Sequence, residues 1–312
     1  MKHISAATIV VSLLWGANAS VNGFVPGPEL PQGFDVLQAS PEQLKQYKLP
    51  PKPTDPAALE SWKAMMWHWS HSKHVTNFIG PLPHIKHGPV SFPANWAGYV
   101  DLIEAPKGPE LEATLVIPSF NAHDGNLNAV SFWTGLDGVL DNHLLQAGVD
   151  CFIDGSNIAN NGCFTWVDYF PDATIGLYPV QIGDVIGLFA FHNTDGQGGG
   201  FYIFNYTTGD AAGGNITCNS AACPSSDPYT GTSAEWIVEA PEVYGQIVPM
   251  VDIERGVEIY NCIMLSFNGA RDRYPYDLPN TTSYQITLTQ NGVAAAAPQI
   301  INAFSFDVVT YP

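Results

Sequence analysis

The chain contains few basic residues and lacks the short motifs that mark the common hydrolases. Its 11 Lys and Arg stand against 29 Asp and Glu, which gives a formal net charge of −18 at pH 7. It has no Asp-Thr-Gly or Asp-Ser-Gly triplet, no G-x-S-x-G and no H-E-x-x-H. The usual signatures of bilobal aspartic peptidases, serine hydrolases and zinc peptidases are therefore excluded. Such an acidic surface also repels nucleic acid and anionic membranes, so neither is expected as a partner.

Histidine and cysteine are also scarce where a catalytic domain would lie. After residue 90 the histidines are His123, His143 and His192, none of them beside an obvious catalytic partner. The cysteines are Cys151, Cys163, Cys218, Cys223 and Cys262, without the C-x-x-C spacing of a zinc site. We therefore expect no metal and no cofactor. In an oxidising compartment two disulfides and one odd thiol are expected, with the pairing left open.

The first residues have the pattern of an export signal. A short basic start at Lys2 and His3 precedes a mostly apolar run over 4–17, and Ala17-Asn18-Ala19 supplies a small-x-small cleavage pattern. The run is shorter than the roughly 20 apolar residues of a membrane span. We predict a signal peptide over residues 1–19 and a secreted, extracellular protein. Possible N-glycosylation triplets begin at Asn205, Asn215 and Asn280.

Charge changes abruptly near residue 90. Seven lysines and five acidic residues precede residue 91, whereas 24 acidic and four basic residues follow it. We predict a pro-segment over 20–90 and one domain over 91–312. Within the pro-segment, Asp55-Pro56 is a good helix start. Leu59, Trp62, Met66 and Trp69 then recur at helical spacing, which predicts one helix to about residue 74. Residues 80–93 are rich in proline and glycine and predict a linker.

After Pro93, short runs of aromatic and β-branched residues alternate with Gly, Asn and Asp turns. This spacing predicts an all-β, antiparallel two-sheet β-sandwich. The predicted strands cover 98–103, 113–117, 130–136, 144–153, 163–170, 185–191, 200–205, 234–238, 258–267, 284–289 and 304–309.

Six short motifs occur in order along this region. They are Ala94-Asn95-Trp96-Ala97-Gly98, Trp133-Thr134-Gly135-Leu136-Asp137-Gly138, Leu145-Gln146-Ala147-Gly148-Val149-Asp150, Trp166-Val167-Asp168-Tyr169-Phe170-Pro171, Asn205-Tyr206-Thr207-Thr208-Gly209 and Ala234-Glu235-Trp236-Ile237-Val238-Glu239. Together they resemble the motifs of the glutamic peptidases, or eqolisins. The resemblance implies a concanavalin-like β-sandwich whose concave face forms a substrate cleft. It also implies a monomeric endopeptidase that acts in acid on polypeptides and is inhibited by its own pro-segment.

By that resemblance, the catalytic pair is Gln146 and Glu235. The residues that match positions lining the same site are Trp96, Trp133, Asp137 and Asp168. Asp168 stands where the family typically has Glu, which shortens that carboxylate by one methylene.

The chemistry of this pair is reasonable without the family. A glutamate can take a proton from water in mild acid, and a glutamine amide can donate to an oxyanion without titrating. Strand alternation places Glu235, Ile237 and Glu239 on one face. It likewise places Gln146, Gly148 and Asp150 together, where the glycine is expected to leave room for a peptide.

Two other functions remain open from the sequence. A β-sandwich glycoside hydrolase or a lectin-like binding module has the same architecture. A retaining glycosidase needs two carboxylates about 5–5.5 Å apart, whereas Glu235 and Glu239 would be ~13 Å apart along a strand. A non-catalytic binding module would leave the long pro-segment without a purpose.

The pro-segment is expected to inhibit through charge. Its lysines would face the acidic domain at neutral pH, and the helix bearing Trp62 and Trp69 would leave the cleft as carboxylates protonate. Cleavage is expected within 80–93. The histidine stripe His68, His71 and His74 is expected to be solvated or to face the cleft rather than to bind metal.

Overall fold

The computed structural model describes residues 23–27, 29–88, 95–102, 109–122, 124–156, 161–193, 198–226, 228–266, 282–302 and 304–311. The predicted signal peptide lies outside these residues, as does Asn280, the first residue of a predicted glycosylation triplet. No helix in the described part of the chain is long and apolar enough to cross a membrane.

The described residues are mainly β-strands, with two helices near the start. The helices are α1 (Pro41–Gln46) and α2 (Pro56–His71). The strands are β1 (Phe24–Pro26), β2 (Lys73–His74), β3 (Gly80–Pro81), β4 (Ile85–Lys86), β5 (Trp96–Leu102), β6 (Pro109–Val116), β7 (Phe120–Asn121), β8 (Leu127–Asp137), β9 (Leu144–Asp154), β10 (Gly162–Phe170), β11 (Ile175–Val180), β12 (Val185–His192), β13 (Gly199–Asn205), β14 (Asp210–Ile216), β15 (Ser233–Glu239), β16 (Glu242–Val243), β17 (Gln246–Ile247), β18 (Asp252–Ile253), β19 (Val257–Ser266), β20 (Thr282–Ile286), β21 (Leu288–Gln290), β22 (Val293–Asn302) and β23 (Ser305–Thr310).

Two large sheets form the predicted sandwich. The front sheet has the order β20-β5-β15-β8-β9-β10-β11-β3, and the back sheet has the order β1-β14-β13-β12-β6-β19-β23-β22-β21, with β2 also paired to β14. The ladders are antiparallel except for the short β2–β14 pair. The inner faces share one apolar core, and Trp236 crosses it to donate from Nε1 to the carbonyl of Glu112 at 2.9 Å.

Every predicted strand coincides with an observed one, and the all-β antiparallel sandwich is confirmed. The strands β11, β14 and β22 were not predicted. Their sequences are rich in glycine, alanine or proline, which have low strand propensity. They form because neighbouring strands supply the backbone partners.

The predicted helix is present as α2, but its predicted position in the cleft is wrong. Its buried side chains pack on the outer face of the back sheet, away from the front sheet. Residues 80–88, predicted as a linker, instead include two short strands that pair with β11 and β16. Helix α2 thus packs on the back sheet, whereas residues 80–81 pair with β11 of the front sheet.

The cysteines form the expected two disulfides and one free thiol. Cys151 and Cys163 face each other on β9 and β10, Cys218 joins Cys223, and Cys262 is a buried thiol. The Asn205 glycosylation triplet is not accessible in this fold. Asn205 is buried and donates from Nδ2 to Asp184 at 2.7 Å.

Candidate active site

The two residues predicted to carry the chemistry lie on either side of one glycine. Gln146 on β9 and Glu235 on β15 both pair with Gly135 on the strand between them. Directly paired residues of an antiparallel sheet share a face, so both side chains lie on the same side. Two strand spacings place their Cα atoms roughly 10 Å apart. Gly135 has no side chain, and the space above it is taken by its neighbours, because a Cβ atom there would lie 2.7 Å from Cδ1 of Leu144 and 3.0 Å from Cζ3 of Trp133.

This face is the outer face of the front sheet, as the predicted alternation requires. Ile237 belongs to an apolar cluster on this face, whereas Trp236 and Val238 belong to the core between the sheets. Gly148 lies on the same face as Gln146, but it leaves no room for a peptide. A Cβ atom at this position would lie 2.6 Å from Cζ2 of Trp166 and 2.7 Å from Cβ of Trp133.

Gln146 is buried and held by two acceptors. Its Nε2 donates to the main-chain carbonyl of His87 at 3.0 Å and to Oδ2 of Asp168 at 3.4 Å. Asp168 pairs with Gln146 across the β9–β10 ladder and also accepts from the Thr174 hydroxyl at 3.3 Å. Burial raises the pKa of Asp168 well above its usual value, while the charge of His87 acts in the opposite direction. The carboxyl of Asp168 therefore fixes which way the Gln146 amide points.

Glu235 is fully buried beneath the cleft. Burial raises its pKa well above the usual value, a hydrogen bond from Ser233 opposes this shift, and Asp137 adds to it. Its main-chain carbonyl accepts from the Thr134 hydroxyl at 3.0 Å, which ties β15 to β8 at this row. With the cleft filled, Glu235 is thus biased towards its protonated form.

The predicted tryptophans form the wall next to a second buried glutamate. Trp96 and Trp133 meet edge to face with centroids 4.9 Å apart. Trp133 donates from Nε1 to Glu239 at 2.8 Å, and Asn95 donates from Nδ2 to the same carboxylate at 2.9 Å. Glu239, which was not among the site residues selected from the sequence, therefore belongs to this wall.

Asp137 lies at the end of the cleft and holds a loop. Its carboxylate accepts from the main-chain N–H groups of Thr230 at 2.6 Å and Thr232 at 2.8 Å. Asp137 itself has φ of 69°, a left-handed conformation that a loop carboxylate can stabilise by such bonds. Because these residues lead directly into β15, Asp137 positions the strand that carries Glu235.

The cleft is filled by a residue that sequence reasoning did not select. The imidazole of His87 is fully buried and stacks on Trp166, with centroids 3.8 Å apart and 5° between the ring planes. Its Nε2 lies 3.3 Å from Asp150 and its Nδ1 lies 3.5 Å from Glu239. Burial lowers the pKa of His87, but the two carboxylates outweigh it and raise the pKa to about 10. His87 is thus a buried imidazolium held between two carboxylates.

Only an indirect signal for His87 is present in the sequence. The run His84-Ile85-Lys86-His87 is basic and lies before the first family-like motif. Nothing in its spacing indicates that one imidazole would meet Asp150 and Glu239, which lie on two strands far along the chain.

The described residues offer little for metal. The rings of His71 and His74 stack on Trp67 and Trp69, whereas His68 packs on Tyr206 of the back sheet. His71 is thus exposed, as one of the two expected alternatives had it, while His68 and His74 are half-buried on the side of the back sheet. One group of potential ligands, Asp172 with Cys218 and Cys223, has both sulfurs joined in a disulfide, which leaves no thiolate to bind an ion.

The comparisons with solved structures agree with this fold. Solved structures of scytalido-glutamic peptidase with transition-state analogues share the fold, at 19–20% identity and TM-scores of 0.55 and 0.56, covering 70% of this chain and 98% of theirs. SCP-B, an eqolisin solved with the tripeptide Ala-Ile-His, matches at 20% identity with a TM-score of 0.52 and the same coverage.

Sequence comparison supplies the family. No curated protein matches the chain. The model of the Peptidase A4 family matches residues 94–302, which is more than half of the chain and contains every residue of the predicted site. The chain therefore belongs to the Peptidase A4 family and is a glutamic endopeptidase.

Proposed function

We propose that this enzyme hydrolyses peptide bonds in acid with Glu235 as general base and Gln146 as oxyanion donor. The observation that carries the proposal is the Gln146 amide bound to a main-chain carbonyl, that of His87, in a cleft that also holds Glu235. A peptide backbone thus already lies where a substrate backbone would lie. This contact favours a peptide substrate over a polysaccharide.

The proposed reaction needs a water molecule between Glu235 and the substrate carbonyl. Glu235 takes a proton from the water, whose oxygen then bonds to the carbonyl carbon. The carbonyl oxygen gains negative charge and is stabilised by the N–H groups of Gln146, which Asp168 orients. The C–N bond then breaks as Glu235 passes its proton to the departing amine.

The proposed activity in acid depends on which groups of the site are protonated. Glu235 must lose its proton to act as the base, and an open, wetter cleft would reduce the burial that now raises its pKa. Gln146 does not titrate, so its hydrogen bonds survive at low pH. A site built from carboxyls and an amide therefore works where a catalytic histidine would be locked as a cation.

We propose that residues 80–88 inhibit the enzyme by lying in the cleft as a substrate does. If the carbonyl held by Gln146 marks the bond to be cut, that bond joins His87 to Gly88. A Cβ atom at Gly88 would lie 3.0 Å from the Phe170 ring, so this position suits a glycine. SCP-B is known with a bound tripeptide that ends in histidine, as Ile85-Lys86-His87 does here.

Acid would release this segment by neutralising its partners. Burial raises the pKa of Glu239, whereas the hydrogen bond and charge of the bound His87 lower it. With Trp133 and Asn95 still covering Glu239, loss of His87 raises this pKa further, so protonation of Glu239 favours the released segment. The ion pair with His87 then weakens while His87 remains charged. The proposed inhibition therefore depends on one buried contact, and not on the general attraction between the lysines of the pro-segment and the acidic domain that the sequence predicts. Secretion through residues 1–19 is part of the same proposal, since an acid-released inhibitor suits an exported enzyme.

The test uses substitutions at the two proposed catalytic residues. Glu235→Gln and Gln146→Ala should each lower the rate on an unfolded protein substrate at pH 3–4 by about 10²–10⁴-fold or more. Glu254→Gln and Gln246→Ala, at exposed positions, are the matched controls and should keep full activity. If either cleft variant retained most of its activity while folded, the assignment would be wrong.

A further inference from the structure

The segment that precedes residues 80–88 is hydrogen-bonded to the back sheet near both of its ends. Strand β1 pairs with β14 at the edge of the back sheet. Phe24 on β1 is buried in the core between the sheets, and its ring lies 5.2 Å from Phe78 and 5.3 Å from Phe201. Further along, Lys73 and Val75 donate backbone hydrogen bonds to Gly209 and Ala211. The back sheet thus has part of the predicted pro-segment as its edge.

Helix α2 covers an aromatic surface on the same sheet. On the helix, the side chains at most 2% exposed are Ala58, Trp62, Met65, Met66 and Trp69. On the outer face of the back sheet they meet Phe189, Phe191, Tyr202 and Phe204. Without the helix these four neighbouring rings would form a contiguous apolar patch. Monomeric soluble proteins rarely expose a patch of this kind.

These contacts do not depend on the peptide in the cleft. A cut after His87 would free residues 85–87, whereas β1, α2 and β2 would keep their contacts with the back sheet. The family match begins at residue 94, so the whole of this segment lies outside it.

We propose that residues 23–87 stay bound to the back sheet after the chain is cut, so that the active enzyme consists of two chains. The proposal rests on the proposed function only for the place of the cut. Its partner surface is the patch formed by Phe189, Phe191, Tyr202 and Phe204, and its occupant is α2 of the same molecule.

Two acids beneath α2, the buried Glu110 and the half-buried Glu112, make this attachment stronger in acid. Glu110 and Glu112 lie on β6 under the helix, where the Ser61 hydroxyl of α2 donates to Glu112. Burial raises the pKa of Glu110, with the charge of Glu112 adding to it, and burial raises the pKa of Glu112 to about 7. Among the described residues neither forms an ion pair with a basic side chain.

The other titratable groups at this contact do not reverse its sign. Burial lowers the pKa of the half-buried His68, so this one imidazole opposes the two carboxyls in acid without outweighing them. Burial raises the pKa values of Tyr202 and Tyr206, which stay neutral between pH 4 and pH 8. A glutamate whose pKa is raised in the bound state contributes fully below its ordinary value and loses that contribution as pH rises through the raised value. The retained segment should therefore bind tightly at pH 4–5 and more weakly at pH 8.

The experiment opens the chain without using its own activity. In the Glu235→Gln variant, a recognition sequence for an added, specific protease replaces residues 89–94, and the cut protein is run on a size-exclusion column at pH 5 and pH 8. We expect both fragments in one peak at pH 5. At pH 8 the dissociation constant of the two fragments should be at least about tenfold higher. The combined change Glu110→Gln and Glu112→Gln should remove most of that pH dependence. Because no catalytic step is involved, failure of the proposed function would not affect this result.

A second comparison tests the helix surface itself. Met66→Ser should release the short fragment after cutting, whereas Trp67→Ser, at a neighbouring position that is 48% exposed, should not. If Met66→Ser does not fold, the elution of the cut protein that keeps Met66 and Trp67 decides the question. Elution of the large fragment without the short one at pH 5, or release that is stronger at pH 5 than at pH 8, would overturn the proposal.

Discussion

Replacing His87 by glutamine should loosen the peptide in the cleft. His87 is fully buried between Asp150 and Glu239, and its pKa of about 10 against the usual 6.5 corresponds to about 5 kcal/mol of attraction for the charged form. Removing one partner from a buried ion pair typically costs about 3–5 kcal/mol. Glutamine retains hydrogen-bond donors, so we take about 3 kcal/mol. Opening of residues 80–88 should then become roughly 100-fold more frequent.

Amide hydrogen exchange measures this opening directly. The experiment is done in the Glu235→Gln background, so that no self-cleavage competes. The amides of Leu82 and Ile85 are the reporters, because they donate to the carbonyls of Thr174 and Leu82 at 2.7 and 3.0 Å. Their exchange near pH 6 should rise by about two orders of magnitude in His87→Gln.

Lys86→Gln is the matched control. Lys86 is exposed and lies 3.9 Å from Glu242, a surface pair worth about 1 kcal/mol or less. Where Glu239 is ionised, the contribution of His87 is complete up to pH 6.5 and is lost as pH rises through about 10. The amide exchange rates of His87→Gln and of the protein that keeps His87 should therefore converge towards pH 10. If His87→Gln exchanged no faster than Lys86→Gln at pH 6, the buried ion pair would not hold the segment.

Three further outcomes are expected. Gly148→Val should lower the melting temperature, since its Cβ would lie within 2.7 Å of Trp166 and Trp133 atoms and overpacking costs about 1–3 kcal/mol; an unchanged melting temperature would mean that the tryptophans can move apart. Asp168→Ala should lower kcat more than it raises KM, because it frees the Gln146 amide to rotate, and Asp168→Asn should recover part of the loss; equal effects on both parameters would argue against this. Pepstatin, metal chelators and serine-directed reagents should leave proteolysis at pH 3–4 intact, and strong inhibition by a chelator would contradict the proposed chemistry.

The sequence was sufficient for the strands and for the side-chain faces of the candidate site. Alternation along β9 and β15 gave the shared faces of Gln146, Asp150, Glu235 and Glu239, because side chains of a strand alternate whatever its neighbours are. The strands it missed, such as β22, contain alanines that become a strand only when a neighbour supplies the ladder.

Long-range placement was the part that the sequence could not give. The helical spacing of Trp62, Met66 and Trp69 correctly predicted an apolar helix face, but not which sheet it covers. Gly148 was expected to open space that two tryptophans from neighbouring strands fill. A periodic pattern identifies which residues are buried, whereas the identity of the residues that bury them depends on contacts far along the chain.

By itself, the sequence determined an all-β domain rich in acidic residues, the family-like motifs and the candidate residues for the proposed chemistry. The tertiary structure alone decided that Gly135 separates Gln146 from Glu235, and that His87 reaches Asp150 and Glu239, residues 63 and 152 positions further on. The physical reason is that strand and helix preferences are local, whereas strand order and burial are set by closing the two sheets over a common core. That closure turns a stretch resembling a linker into a buried peptide in the cleft.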